Sequence, residues 1–359
     1  MLKIAEEKRK IGGNIGIIGR HSFELCSRPR IISSASYVGD KEGKGPLREC
    51  FDKICRDDTL GLDSWEQAES RMFESAVRVA LAKIKRQSDD LSCLLGGDLL
   101  NQIISSGFAA REIRAPFIGL YGACSTISEG LMLGGMLVDG GFAELAACAA
   151  SSHFSAAERQ FRYPLEMGVQ AVPSSQRTVT GAGSIIIQAA GEFRPGAGNV
   201  FEHVALTGGT IGSVEDFGIT DANNKGAAMA PAAFKTIKTH LSDYSRRVED
   251  YDRIITGDLG IFGSDMLYEL LRGEGIEIAD RHEDCGKLMF SPEQNVNCGA
   301  SGCGCAATVM SSWFLPKIES GEIRRVLFLA TGALMSPVSS LQGESIPSIA
   351  HAVVIEHID

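Results

Sequence analysis

Nowhere in this chain do about 18 apolar residues run uninterrupted, the length that a membrane-spanning helix needs. The first nine residues, Met1 to Arg9, carry charges and no apolar run of the kind a secretory signal requires. Neither export by that route nor a membrane anchor is expected. Basic residues are in deficit as well: 35 Lys and Arg stand against 45 Asp and Glu, a formal charge of -10, and no basic patch breaks the pattern. A nucleic-acid partner held by counterion release is thereby excluded. No G-x-G-x-x-G turn follows a strand with an acidic partner downstream, which argues against a dinucleotide cofactor. The ten cysteines lack the short, regular spacing of a disulfide framework, and several fall inside apolar segments such as Leu91 to Leu95 and Leu145 to Ala150, so a reducing compartment is expected. Cys298, Cys303 and Cys305, with Cys285 upstream, have a Cys-x4-Cys-x-Cys spacing that fits no usual zinc or iron-sulfur arrangement. No metal or other cofactor is expected.

What is present is ample core material: 44% of the 359 residues are hydrophobic, enough for one large soluble domain or two fused halves. The organising stretch is Gly119-Leu120-Tyr121-Gly122-Ala123-Cys124-Ser125-Thr126. An extended segment, Ala115 to Leu120, runs into a glycine-flanked turn, and Ile127, Leu131, Gly134, Gly135 and Val138 then follow at helical spacing. Cys124 therefore falls at a helix N-terminus, where unpaired amides and the helix dipole favour a thiolate or a bound anion; a lowered thiol pKa is expected there unless the site is dry. The alternative is a small apolar residue packed under a helix.

Around this stretch the chain alternates strands and helices. Asn14 to Gly19 and Ile31 to Tyr37 read as strands, Gly39 to Leu62 as a surface excursion with a short helix around Leu47 to Ile54. Asp63 or Ser64 caps a helix carrying Ala68, Met72, Ala76, Val79 and Ala80, with Glu66 or Gln67 in its first turn. Asp90 to Asp98 reads as a buried strand, Asn101 to Arg111 as a helix, and Glu144 to Ala150 as another strand, a βαβαβ rhythm with right-handed crossovers. The second half repeats the first. Ala76 to Leu99 and Phe234 to Leu259 both run helix, charged turn, apolar strand, then Gly-Asp-Leu; Gly122-Ala123-Cys124-Ser125 is echoed by Gly299-Ala300-Ser301-Gly302 ahead of a helix from Cys303 to Phe314; Leu145 to Ala150 is echoed by Val326 to Thr331. The seam falls near Gly191 to Gly198, dividing the chain into residues 11–190 and 191–359. Between the first half's last strands lies a long polar excursion, Ser151 to Thr180, holding His153, Arg159 and Arg162, of the kind that walls a pocket. Asp98 and Asp258 occupy equivalent strand ends, where each either lines a site or caps a following helix.

At Cys124 and the duplicated halves, the chain resembles the thiolase superfamily, including the ketoacyl synthases. The resemblance runs over nearly the whole chain and is closest to a divergent, sporulation-associated branch. It rests on Gly122-Ala123-Cys124-Ser125-Thr126, Leu137-Val138-Asp139-Gly140-Gly141-Phe142-Ala143, Ala157-Glu158-Arg159-Gln160-Phe161-Arg162-Tyr163-Pro164, Gly218-Ile219-Thr220-Asp221, Ala228-Met229-Ala230-Pro231-Ala232-Ala233 and Ile346-Pro347-Ser348-Ile349-Ala350-His351. The resemblance implies an α/β fold of two duplicated βαβαβαββ halves in a five-layered α-β-α-β-α arrangement, commonly a homodimer, with Cys124 in the nucleophile's place. For the divergent branch it implies binding of dipicolinic acid (pyridine-2,6-dicarboxylate), free or as its calcium chelate. It also implies a part in the acid's uptake into the developing spore alongside membrane-bound SpoVA proteins, from the cytoplasm or the face of the forespore inner membrane.

The departures from the enzyme pattern point the same way. Where a thiolase has histidine in Gly-His-Pro-Leu-Gly-Ala-Ser-Gly, this chain has Val296; where condensing synthases carry His-Gln-Ala-Asn, it has Thr256-Gly257-Asp258-Leu259-Gly260. Neither replacement can act as the missing imidazole, and His351 stands where the enzymes keep a glycine. Three readings follow: a binding protein that holds a planar dicarboxylate among Cys124, His153, Arg159, Arg162, Asp258 and His351; an acyltransferase that uses Cys124 covalently; and a scaffold that docks a membrane complex without binding. The lost histidines favour the first and third.

Overall fold

The computed structural model describes residues 16–161, 165 and 172–359. The first half runs β1 (Arg30–Val38), α1 (Trp65–Lys83), β2 (Cys93–Gly97), α2 (Ile104–Ile113), β3 (Phe117–Gly119), α3 (Thr126–Asp139), β4 (Leu145–Ser152) and β5 (Gly181–Gln188). The second runs β6 (Val204–Thr210), α4 (Lys225–Asp243), β7 (Arg253–Thr256), α5 (Gly260–Arg272), β8 (His282–Asp284), α6 (Cys303–Val309), β9 (Arg325–Ala333) and β10 (Ser348–His357). Each is a βαβαβαββ unit, so the repeat read in the sequence is a repeat of structure.

Strand order makes the duplication explicit. Among the described residues the main path is β8-β7-β9-β10-β6-β1-β5-β4-β2-β3, which reads the same from either end once equivalent strands are matched. Within each half the crossover strands are parallel (β2 with β3 and β4, β7 with β8 and β9), and the last strand runs antiparallel beside them. The halves meet at β6 and β1, joined by the pair Ala205 and Arg30.

Burial explains these elements. All eight residues of β4, Leu-Ala-Ala-Cys-Ala-Ala-Ser-Ser, are buried, as are those of β5, because helices cover both faces. On one side α1 lays Ala68, Met72, Phe73, Ala76, Val77, Ala80 and Leu81 against β1, β4 and β5. Its start is set as the sequence implies: Ser64 Oγ accepts from the Gln67 amide at 3.2 Å while Gln67 Oε1 accepts from the Asp63 amide at 3.2 Å. On the opposite side α4 packs on β9 and β10. Between the strands of the first half and those of the second lie α3, which touches both sets, and α6, which packs on β1, β4 and β5, completing the five layers. Glycines permit that approach: a Cβ on Gly134 of α3 would sit 2.8 Å from Cys148 Sγ of β4.

Some expectations shift. In place of a helix at Leu47 to Ile54 there is a single 3-10 turn, Arg48–Cys50, and a two-residue strand, Lys53–Ile54, whose side chains face water. The helix expected from Asn101 begins at Ile104, after Gln102 and Ile103 turn left-handed. The helix from Cys303 reaches Glu319, its middle, Met310–Phe314, widening into a π turn. All ten cysteines are free thiols. Among the described residues no helix is long and apolar enough to cross a membrane.

Candidate functional site

The turn between β3 and α3 is closed by its own polar groups. Leu120 N–H donates to Gly96 O at 2.9 Å, Ser125 N–H to Gly122 O at 3.0 Å, and the Ser125 and Thr126 hydroxyls donate to Gly122 O and Ala123 O, each at 2.7 Å. Ala123 takes a left-handed φ of 50°, which turns Cys124 inward, one residue ahead of the N-cap Ser125. The second half presses on the turn from two sides. Gly332 of β9 lies so close that a Cβ there would sit 2.1 Å from Gly122 O, and Cys303, first residue of α6, donates its Sγ–H to Ala123 O at 2.9 Å.

Under Cys124 lies Asp258, fully buried beyond the end of β7. Its Oδ2 accepts from the Gly302 amide at 2.8 Å, its Oδ1 from the Thr331 hydroxyl at 3.0 Å, and the Cys124 thiol donates to the same carboxyl group. Burial, reinforced by the nearby Asp284, pushes the Asp258 carboxyl up to about 7 against these hydrogen bonds. The Cys124 thiol is driven far above its ordinary range, first by burial and then by the charge of Asp258, with Lys225 acting in the opposite sense. A lowered thiol pKa was expected from the helix end unless burial intervened, and burial is what prevails. Cys124 is buried above a carboxyl group, and those effects outweigh a dipole that reaches only the first turn.

Above Cys124 is a chamber of about 50 Å³, lined among others by Leu99, Tyr121, Phe161, Lys225, Ser301 and Met335. It adjoins a wider cleft of about 420 Å³ with which it shares Glu158, Phe161, Lys225 and Met335; Lys41, Phe154, Gln176, Arg177, Asn223 and Asn297 also border that cleft. A larger hollow, about 660 Å³, lies between α1 and α2 and contains none of the residues around Cys124. The polar excursion after β4 does wall the cleft, but through Glu158, Phe161, Gln176 and Arg177.

Of the six residues proposed from sequence, Cys124 and Asp258 come together. His153 caps the short helix Phe154–Glu158: its Nδ1 accepts from the Ser155 amide at 3.2 Å and its Nε2 donates to Asp58 O at 2.9 Å, so both ring nitrogens are used away from the chamber. Burial lowers its pKa and keeps the ring neutral. His351, on β10, accepts the Gly212 amide on Nδ1 at 3.2 Å, and burial lowers it to about 4. Neither histidine lines the chamber or the cleft. Arg159 turns to an ion pair with Glu66 and lies 5.5 Å above the Trp65 ring. Arg162 falls outside the described residues. Asp98 is a cap, its Oδ1 accepting from the Leu100 amide at 2.8 Å and its Oδ2 from the Ser106 amide at 2.7 Å. Asp258 does not cap the helix after it. Asp284 does, accepting the Leu259 and Gly260 amides at 2.8 and 3.0 Å. Among the described residues no three His, Cys, Asp or Glu side chains converge as a metal site would require.

Lys225, Ser301, Gln176 and Arg177 were not singled out as site residues from sequence. One of them carried a readable signal: a lysine directly after an Asn N-cap places a cation at the positive end of a helix, an arrangement disfavoured without a compensating use.

A duplicated βαβαβαββ unit in five layers, with a cysteine heading the central helix, is the thiolase-like fold. Solved structures of that class superpose over nearly the whole chain. The 3-oxoacyl-[acyl-carrier-protein] synthase III of Aquifex aeolicus VF5 is 11% identical, covers 92% of this chain and all of its own, and has a TM-score of 0.56. OleA of Xanthomonas campestris, in its cerulenin-bound form, is 13% identical over 96% of this chain and 99% of its own, with a TM-score of 0.58. Within that class the relationship narrows. The family model of stage V sporulation protein AD matches residues 19–356. The stage V sporulation protein AD of Bacillus subtilis (strain 168) is 44% identical over 333 residues, 92% of this chain and 96% of its own. This chain belongs to the stage V sporulation protein AD family.

Proposed function

We propose that this member of the family is a binding protein for dipicolinic acid on a fold that elsewhere carries acyl-transfer enzymes. In this reading it serves the uptake of that acid into the developing spore, at the forespore inner membrane, together with membrane-bound SpoVA proteins. The observation that carries the reading is the lining of the cleft above Cys124. Three cations, Lys41, Arg177 and Lys225, border it together with Phe154, Phe161 and Met335. Cations match two carboxylates and flat apolar side chains match an aromatic ring, the combination a pyridine dicarboxylate presents. Among the described residues the one acid on the wall is Glu158, and it is engaged by the Thr178 hydroxyl at 2.7 Å.

The acyltransferase reading has less support. A thiol nucleophile must be ionised by a neighbouring base, and the group bonded to Cys124 is a carboxyl whose negative charge opposes thiolate formation. Titration calorimetry with dipicolinate, run beside a free-thiol assay with acetyl- and acetoacetyl-coenzyme A, tests the choice. Saturable binding without thiol release is expected. Thiol release would establish the enzyme, and silence in both experiments would leave a scaffold. A homodimer is proposed as well, supported by the exposed side chains of Ile118 and Tyr121 at and beside β3, the end strand of the sheet path. Sedimentation at micromolar concentration checks it, and a monomer would refute it.

A further inference from the structure

Lys225 stands where a cation is electrostatically least at home. It opens α4, a helix of 19 residues whose first amides and dipole already make that end positive. The first turn contains no acidic side chain, and among the described residues no carboxylate pairs with the Lys225 ammonium. Its side chain instead borders both the Cys124 chamber and the wider cleft.

A second, independent feature lies on the same chamber. Ser301 is 1% exposed, yet its hydroxyl has no hydrogen-bond partner among the described residues. Buried hydroxyls are nearly always satisfied, so an unsatisfied one on a cavity wall marks a place that a ligand or water fills. The backbone reason is local: Ser301 sits in the two-residue strand Ala300–Ser301, whose main chain is paired with Arg177–Thr178, so its side chain is left to the chamber.

We infer that Lys225, the Ser301 hydroxyl and the amide end of α4 form a carboxylate subsite at the mouth of the Cys124 chamber. The inference rests on the dicarboxylate reading above and refines it. A space of about 50 Å³ admits a carboxylate but not a six-membered ring, so the ring stays in the 420 Å³ cleft. One carboxylate of a 2,6-substituted pyridine reaches down to Lys225 and Ser301, and the other faces Arg177 and Lys41. Ser301 donates one hydrogen bond and Lys225 supplies charge, so the subsite distinguishes a carboxylate from a neutral amide of the same shape. The ligand contacts then come from the second half of the chain as much as from the half that carries Cys124.

The test is calorimetric titration of the full chain and its variants with pyridine-2,6-dicarboxylate and, as a neutral analogue, pyridine-2,6-dicarboxamide. Lys225→Gln is expected to weaken dicarboxylate binding about ten- to a hundredfold and to flatten its salt dependence, the loss of one charge-assisted contact. Ser301→Ala is expected to cost about three- to tenfold. Lys225→Arg restores most of the affinity; Lys225→Gln leaves binding of the dicarboxamide within about threefold, whereas Ser301→Ala weakens both ligands, because an amide oxygen also accepts from the hydroxyl. Dicarboxylate affinity unchanged in Lys225→Gln overturns the subsite and leaves the dicarboxylate reading standing, whereas a wild-type protein that binds no dicarboxylate overturns both. Should Lys225→Gln fail to fold, unchanged affinity in Ser301→Ala overturns the subsite in its place.

Discussion

Cys124 and Asp258 constrain one another: the thiol donates to the carboxyl group, and the carboxyl's charge keeps the thiol protonated. Alkylation should therefore discriminate sharply among the cysteines. With iodoacetamide at pH 8, followed by peptide mass spectrometry, exposed Cys26 is expected to label first and Cys124 to lag by more than about tenfold. Equal rates would mean a reactive nucleophile after all. Asp258 also makes a signed contribution to stability. Its folded-state pKa, raised from 3.8 to about 7, means that folding disfavours its ionised form. Stability from this group is full below about pH 4 and is lost as pH rises to 7, by at most about 4 kcal/mol. Asp258→Asn stays neutral throughout, so its melting temperature should gain on the wild type between pH 5 and pH 8. A constant difference across that range would show that Asp258 is ionised normally. At this scale the sequence was informative about residue types and poor about orientation. Cys124 was legible from its turn, but His153 and His351 were chosen because imidazoles are plausible near a thiol, and each is spent on a backbone amide instead.

The elements that matter most are the two helix heads, the turn before α3 and the segment before α6, which press on one another across the halves. Gly302, with φ 104°, donates its amide to Asp258, and a Cβ there would sit 2.8 Å from Ser152 Oγ. Gly302→Ala is expected to cost about 2 kcal/mol or more, from strained backbone and crowding together, read as a lowered midpoint in urea unfolding. A variant as stable as the wild type would remove this contact from the account. Gly332→Ala acts differently. Its Cβ would meet Gly122 O at 2.1 Å, directly against backbone, so the Cys124 turn must move. Weakened dicarboxylate binding is expected, and unchanged affinity would show that the turn is not part of the site. Helix starts were legible where local capping decides them, as at Ser64, and less so at Ile104, where two left-handed residues, Gln102 and Ile103, delay the helix. No local propensity signals two such residues in succession, because both favour right-handed backbone.

Across the whole molecule, buried titratable groups pull stability in opposite directions with pH. His240, His282 and His351 are held neutral, at about 3, 3 and 4, so they are protonated more readily unfolded than folded. Their contribution is present above about pH 6.5 and is lost as pH falls through 4. Glu42 and Asp258, both raised to about 7, act in the reverse sense over the same range. His351→Gln should gain on the wild type as pH falls from 6.5 toward 4, the opposite sign to Asp258→Asn; matching signs would refute this assignment. The two halves, a βαβαβ rhythm in the first and Cys124 at the head of a buried helix were determined by the sequence alone, because apolar periodicity and glycine-marked turns are local properties that repeat when the chain repeats; the full βαβαβαββ order followed only from the resemblance to the thiolase superfamily. Which side chains share the chamber was decided only by the tertiary structure. Lys225 and Ser301 stand about 100 and more residues beyond Cys124, and no local pattern specifies that packing the second half against the first brings to the same small space an ammonium and a hydroxyl that have no partner among the described residues.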